Sequence, residues 1–177
     1  MKNIIFFLFV ALLFASCGSA SPKSEESAAS AKTQAVSGFS LNLEKVDGGT
    51  FSFEEIRGKK HLVAAFWATW CEPCKQELKK LAEMYGDFSG SVEFVGISTD
   101  TEEMIDKVSE FAAEAALPFP ILVDPSGNTV GLMIPGGDSV PYMMVVDKNG
   151  VVVSRHSGYN PGDEEALRHE LETLVSR

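Results

Sequence analysis

Residues 66–74 read FWATWCEPC, and this stretch joins a predicted strand to a predicted helix. Residues 61–67 form a near-continuous apolar run, which predicts a central strand buried on both faces of a sheet. Residues 72–85 carry apolar side chains at the spacing of an amphipathic helix, at Leu78, Leu81, Ala82 and Tyr85. The two cysteines of the stretch, Cys71 and Cys74, therefore fall at the N-terminus of a helix.

A helix N-terminus is a favourable place for a reactive thiol. Its unpaired N–H groups and the positive end of the helix dipole stabilise a thiolate. The Cys-x-x-Cys spacing puts both sulfurs on the first turn, close enough to bond. Cys71, the more exposed, is predicted to be the nucleophile, and Cys74 the resolving thiol of the mixed disulfide. Pro73 is tolerated there because its missing N–H would have no partner within the helix.

Other uses of the two thiols are a zinc site, a static bridge and a copper site. Zinc needs four ligands, and the histidines are not paired at metal spacing (His61, His156 and His169). A static Cys71–Cys74 bridge would restrain the unfolded chain very little, because it closes a very short loop. A copper metallochaperone would bind Cu(I) through the same two sulfurs.

Strand and helix signals alternate through residues 38–177, which predicts one domain with a mixed sheet covered on both faces. Asp100, with Glu103 three residues later, has the pattern of a helix N-cap. The Asn-Gly pair at 149–150 is the strongest hairpin signal. The predicted elements are a hairpin over 39–53, strands at 61–67, 92–97 and 120–123, helices over 72–85 and from 100 to before 118, a hairpin over 142–154, and a helix from about 161.

The stretch 66–74 resembles the active site of thioredoxin-like proteins, most of all the membrane-tethered TlpA/ResA/DsbE branch. The likeness covers most of 38–177 and includes the Val140-Pro141 pair before a strand. It implies an α/β thioredoxin fold, in which a mixed central sheet is flanked by helices and extended by an N-terminal β-hairpin. It also implies a thiol-disulfide oxidoreductase with no cofactor besides a redox-active Cys71–Cys74 disulfide.

The resemblance further implies a substrate site around the disulfide. Pro141 is expected in the cis form, facing the two sulfurs, and the backbone of Val140 is expected to pair with an extended substrate. The alternative for Pro141 is a trans proline at the start of a strand. The other residues expected to bind substrate are Trp70, Glu72, Pro73 and Tyr142.

Acidic residues near the cysteines bear on the thiol pKa. Glu77 follows Cys74 by three residues, so the two share a helical face, and a nearby negative charge raises a thiol pKa. In the branch that the chain resembles, a glutamate at the place of Glu77 tunes the thiols. The alternative is a solvated helix glutamate. Cytosolic thioredoxins carry a buried acid where this chain has Ala65, so that proton route is not expected.

Residues 1–16, MKNIIFFLFVALLFAS, are predicted to be a signal peptide. The apolar run Ile4–Ala15 is shorter than the about 20 residues of a membrane-spanning helix. Cys17 follows two small residues, which resembles the lipobox of bacterial lipoproteins and predicts that Cys17 is lipidated. The alternative is cleavage after Ala20, which would discard Cys17. Residues 17–37, rich in Ser and Ala, are predicted to be a flexible tether.

Charge and compartment limit the partners. The chain of 177 residues carries 15 Lys+Arg against 25 Asp+Glu, so nucleic-acid binding is not expected. The resemblance implies a location in the periplasm or on the outer face of a bacterial membrane, through a lipid anchor. It implies protein thiol and disulfide substrates, such as apocytochrome c, and a membrane electron donor of the DsbD/CcdA type. The alternatives are a dithiol oxidase or a thiol peroxidase of the same fold, although the sequence lacks a peroxidatic Thr-x-x-Cys loop.

Overall fold

The predicted central strand occupies the middle of the sheet. The computed structural model describes residues 38–136 and 139–177. Every residue from His61 to Trp67 is buried, because this strand has sheet neighbours at both edges and packed side chains on both faces. Its neighbours are a parallel strand, Val92–Ser98, and an antiparallel strand, Tyr142–Val146. The strand that leads to Cys71 is therefore anchored at both edges and on both faces.

The described strands form one seven-stranded mixed sheet, in the order β2-β1-β5-β4-β3-β6-β7. The β3–β4 and β4–β5 pairs are parallel, and the other pairs are antiparallel. This confirms the predicted mixed sheet and its N-terminal hairpin. The strands are β1 (Asn42–Lys45), β2 (Thr50–Ser52), β3 (His61–Trp67), β4 (Val92–Ser98), β5 (Ile121–Val123), β6 (Tyr142–Val146) and β7 (Val152–Ser157).

Helices cover both faces of the sheet. The side chains of β3 alternate between two apolar clusters, one on each face, and helices pack against both clusters. One cluster contains Val63, Ala65 and Trp67 and packs against α2, α3 and α5. The other contains Leu62, Ala64 and Phe66 and packs against α1 and α4. Each large side chain buried in this way contributes about 1.5–3 kcal/mol. The helices are α1 (Phe53–Ile56), α2 (Glu72–Phe88), α3 (Ile105–Glu114), α4 (Asn128–Met133) and α5 (Asp163–Val175).

One local prediction was wrong, and one short helix was not predicted. The helix expected from Asp100 begins later, with a 3-10 turn at Glu102–Met104 followed by α3, and the Asp100 side chain does not cap it. After β5, the N–H of Gly127 donates to the Asp124 carbonyl at 2.9 Å and closes a turn. The unpredicted helix α4 follows this turn, and the Asp124 carboxylate accepts hydrogen bonds from the N–H groups of Thr129 and Val130 at 2.8 and 2.9 Å. In both cases an aspartate binds a partner that local sequence did not indicate.

The predicted signal peptide, residues 1–16, and the tether with Cys17, residues 17–37, lie outside the described residues. Within the described part of the chain, no helix combines the length and the apolar character needed to cross a membrane.

Candidate functional site

The two cysteines form a disulfide at the start of α2. Cys71 is the N-cap residue, and its sulfur accepts a hydrogen bond of 3.3 Å from the N–H of Cys74. The Cα atoms of the pair are 5.3 Å apart. Cys71 is 5% exposed, whereas Cys74 is completely buried. An incoming thiolate or disulfide can therefore reach Cys71 and not Cys74, which fits a nucleophile followed by a resolving thiol.

The loop between β3 and α2 is held by the residues that follow β4. The N–H of Thr99 donates to the carbonyl of Trp67 at 2.9 Å, which extends the β3–β4 pairing past the end of the strands. Asp100 is buried, and its carboxylate accepts hydrogen bonds from the N–H and the hydroxyl of Thr69. The sequence pattern predicts a helix cap at Asp100 and does not indicate this contact.

The proline at 141 lies at the same edge of the sheet as the cysteines. The Val140–Pro141 peptide bond is cis. Pro141 directly precedes β6, whose first residue pairs with Phe66, near the end of β3 that leads to Cys71. The Tyr142 side chain is buried and packs on Phe66, with ring centroids 6.0 Å apart. The Tyr142 ring therefore belongs to the apolar core of the domain.

Three of the predicted substrate-binding residues form an exposed rim beside the disulfide. Trp70 is 70% exposed, and the Glu72 side chain is exposed to the same extent. Pro73, between Glu72 and Cys74, is also exposed. The Glu72 carboxylate lies 3.8 Å from the Lys75 ammonium, a surface ion pair of little energetic weight. The rim offers an apolar ring and a negative charge to an incoming chain.

Glu77 is buried, which contradicts the alternative of a solvated glutamate. It is 3% exposed, and among the described residues its Oε2 atom has no hydrogen-bond partner. Burial raises the pKa of Glu77 to about 7, while the nearby His156 opposes the shift and Asp163 adds to it. The carboxyl lines a cleft of about 180 Å³ that Met143 and Tyr159 also line. Near neutral pH it can therefore hold or release a proton one turn beyond Cys74.

His156 also lines this cleft, a position that its sequence context does not predict. Its Nε2 atom lies 3.0 Å from a carboxylate oxygen of Glu170, and this hydrogen bond raises the pKa of His156. Its position in β7, opposite Met143 in β6, places it above the sheet on the side of Glu77. In the part of the chain that the structure describes, no group of three or more His, Cys, Asp or Glu side chains is arranged to hold a metal ion.

Replacing Glu77 with glutamine is expected to flatten the pH dependence of stability. The pKa of Glu77 is about 7 in the folded protein and 4.5 as the ordinary value. The folded state binds this proton more tightly than the unfolded state does, so the protonated Glu77 contributes its full stabilisation at a pH below 4.5. That stabilisation is lost as the pH rises through about 7. We expect the free energy of unfolding of the wild type to fall by up to about 3 kcal/mol more than that of Glu77→Gln between these limits.

Urea unfolding of the oxidised protein at several pH values measures this effect without titration of the cysteines. Glu72→Gln is the matched control, since it removes a carboxylate from the same helix at an exposed position. It should keep the wild-type pH profile. A Glu77→Gln profile that overlays the wild type would contradict the burial of an ionisable carboxyl at this site.

Comparison with known proteins agrees with this site. The family model described as the AhpC/TSA family matches residues 33–155. The thioredoxin-like protein YneN of Bacillus subtilis is 31% identical over 119 residues, which are 67% of this chain and 68% of that protein. The thiol-disulfide oxidoreductase ResA of Halalkalibacterium halodurans is 28% identical over 152 residues, which are 85% of this chain and 80% of that protein.

The chain also resembles a solved structure. The crystal structure of a Chlorobium tepidum protein assigned as the thiol:disulfide interchange protein DsbE matches with a TM-score of 0.71 and 25% identity. The match covers 80% of this chain and 96% of that one. It confirms the predicted thioredoxin fold. The chain belongs to the AhpC/TSA family and is a thiol-disulfide oxidoreductase of the ResA/DsbE type.

Proposed function

We propose that this oxidoreductase is a reductant of protein disulfides outside the cytoplasm, with Cys71 as nucleophile and Cys74 as resolving thiol. The observation that carries the direction of electron flow is the buried Glu77, one turn of α2 beyond Cys74. A helix N-terminus alone favours the thiolate and would make the pair oxidising. Glu77, whose pKa is about 7, opposes that effect in its ionised form, because a negative charge nearby raises the thiol pKa.

The electrostatic balance then favours the disulfide as the product. When the thiol pKa is raised, the thiolate form of the reduced protein is less stable. The reduced pair therefore gives up its electrons more readily. Glu72, between the two cysteines, adds a second negative charge on the exposed side. We therefore assign to Glu77 the tuning of the thiol pKa, and to Glu72 a minor contribution that solvent screens.

The substrate groove in this proposal runs along the exposed rim. Trp70 and Pro73 supply apolar contacts, and the backbone of Val140 pairs with an extended substrate as an added strand. Val140 is half-buried, so its backbone lies close to the surface at the edge that also holds Cys71. A protein segment with an exposed disulfide is the substrate class that such a groove suits.

We base the proposed location on the sequence of the first 37 residues. A signal peptide over 1–16 and a lipidated Cys17 would anchor the protein outside the cytoplasm, and the tether over 17–37 would span roughly 25 Å. Because exported compartments are oxidising, the pair needs a membrane electron donor, for which the DsbD/CcdA type is our proposal. Apocytochrome c, reduced before haem attachment, is the proposed substrate.

The reduction potential of the Cys71–Cys74 pair tests this direction. Equilibration of the purified protein with known ratios of reduced and oxidised dithiothreitol gives the potential from the fraction of disulfide. We expect a value near that of thioredoxin, about −270 mV. A value near that of the oxidant DsbA, about −120 mV, would overturn the proposal and favour the dithiol oxidase.

A further inference from the structure

The buried carboxylate of Asp100 binds the loop that precedes the nucleophile Cys71. Asp100 is only 5% exposed. Its Oδ2 atom accepts hydrogen bonds from the N–H of Thr69 at 2.8 Å and from the Ser98 hydroxyl at 2.9 Å. Its Oδ1 atom accepts a third, from the Thr69 hydroxyl, at 2.7 Å. Hydrogen bonds to an ionised acceptor are roughly twice as strong as neutral ones, so these contacts hold Thr69 firmly.

The register of the sheet brings these residues together. In the parallel β3–β4 pair, Trp67 lies opposite Ser98. Two residues beyond this last pair, Thr69 after β3 and Asp100 after β4 lie opposite each other. There the Asp100 carboxylate accepts a hydrogen bond from the backbone N–H of Thr69, as the carbonyl of a neighbouring strand would within the ladder. The loop between β3 and Cys71 is therefore restrained on the side of β4.

We propose that Asp100 is a positioning residue for thiol-disulfide exchange, acting through Thr69 on Cys71. Thr69 stands two residues before Cys71, and the N–H of Cys71 donates to the carbonyl of Ala68 at 3.0 Å, so the turn is short and stiff. Cys71 exposes only 5% of its surface. A small shift of this turn changes the direction from which its sulfur can be attacked, and reacting groups misplaced by 1 Å cost about 10²-fold in rate.

This role differs from the contributions of the cysteines and of Glu77. The hydrogen bonds of the Asp100 carboxylate go to Thr69 in the loop and to Ser98 at the end of β4, and not to a cysteine. Its removal should therefore lower the rate of exchange without removing the substrate groove. The expected signature is a fall in kcat for insulin reduction at a nearly unchanged KM.

The test compares four variants in the insulin-reduction assay with dithiothreitol as electron source. Asp100→Ala should lose about 10- to 100-fold in kcat. Thr69→Val, which keeps the N–H and loses the hydroxyl, should lose less. Thr69→Ser, which keeps both donors, should stay within about twofold of the wild type. Combining Asp100→Ala with Thr69→Val should add little to Asp100→Ala alone, because the two changes remove the same contact.

Asp124→Ala is the matched control for a purely structural loss. Asp124 is also buried, follows the neighbouring strand β5 and accepts three hydrogen bonds, but it binds the start of α4 and not the loop before Cys71. At a temperature where circular dichroism shows every variant folded, Asp124→Ala should keep kcat near the wild-type value. Wild-type kcat in Asp100→Ala, an equal loss in Asp124→Ala, or additive losses in the double variant would each overturn the proposal.

Discussion

Cys71→Ser is expected to reduce insulin-disulfide reduction to the uncatalysed rate, whereas Cys74→Ala is expected to stop turnover with the substrate still attached. The reason is the difference in access between the two sulfurs. Cys71 is slightly exposed at the N-cap of α2, and Cys74 is completely buried behind it. A hydroxyl cannot replace the thiolate as nucleophile at neutral pH, so the first variant has no reactive group for the substrate.

In the Cys74→Ala variant, the first half of the reaction is intact. The Cys71 thiolate attacks a substrate disulfide, forms a new S–S bond and releases one substrate thiolate, which is then protonated. The second half needs Cys74 to attack the Cys71 sulfur and release the other substrate thiol. Without it the mixed disulfide accumulates, up to one substrate per protein. Non-reducing gels and mass spectrometry of the adduct measure this directly.

The third cysteine requires a control. Each variant is also made with Cys17→Ser, so that no adduct can form at residue 17. The double variant Cys71→Ser with Cys74→Ala should trap nothing. In cells, the proteins held by Cys74→Ala should carry export signals, and cytoplasmic partners would contradict the proposed location. Full activity in Cys71→Ser, or no adduct in Cys74→Ala, would exclude the assigned roles.

The central part of the fold follows from local sequence. Residues 61–67 could be recognised as a buried strand because an uninterrupted apolar run leaves no face for water. The helix after it could be recognised because Leu78 and Leu81 repeat at the helical period. The short helix α4 was missed. Six residues carry too few turns of periodic signal, and local sequence does not show that the Asp124 carboxylate accepts hydrogen bonds from the first N–H groups of this helix.

The site was predictable where spacing alone carries the chemistry. Cys71 and Cys74 need only one helical turn to meet, so four residues of sequence define the pair. The burial of Glu77 depends on β7 and α5, which follow it by about eighty residues and close the cleft over it. The contact between Asp100 and Thr69 depends on the register of two parallel strands, which no local pattern reports.

Trp67→Ala is expected to lower the free energy of unfolding by about 3–5 kcal/mol, whereas Trp70→Ala should change it by no more than about 0.5 kcal/mol. The two tryptophans are three residues apart and differ completely in environment. Trp67 is fully buried and packs against Phe111 of α3, with ring centroids 5.0 Å apart. Its loss leaves a cavity between β3 and α3 that the sheet cannot close. Trp70 is 70% exposed.

Trp67→Phe separates packing from polarity at the same position. Within the described residues, the buried indole Nε1 atom of Trp67 has no hydrogen-bond partner. Phenylalanine removes this unpaired donor and keeps most of the ring, so its cost should stay below about 1.5 kcal/mol. Urea unfolding of the oxidised protein, followed by circular dichroism, gives all three values. The same proteins then separate stability from function. Trp70→Ala should raise the KM for insulin while remaining as stable as the wild type, because Trp70 is exposed on the rim that we propose as the substrate groove. A Trp70→Ala variant as unstable as Trp67→Ala would show that the rim is part of the core.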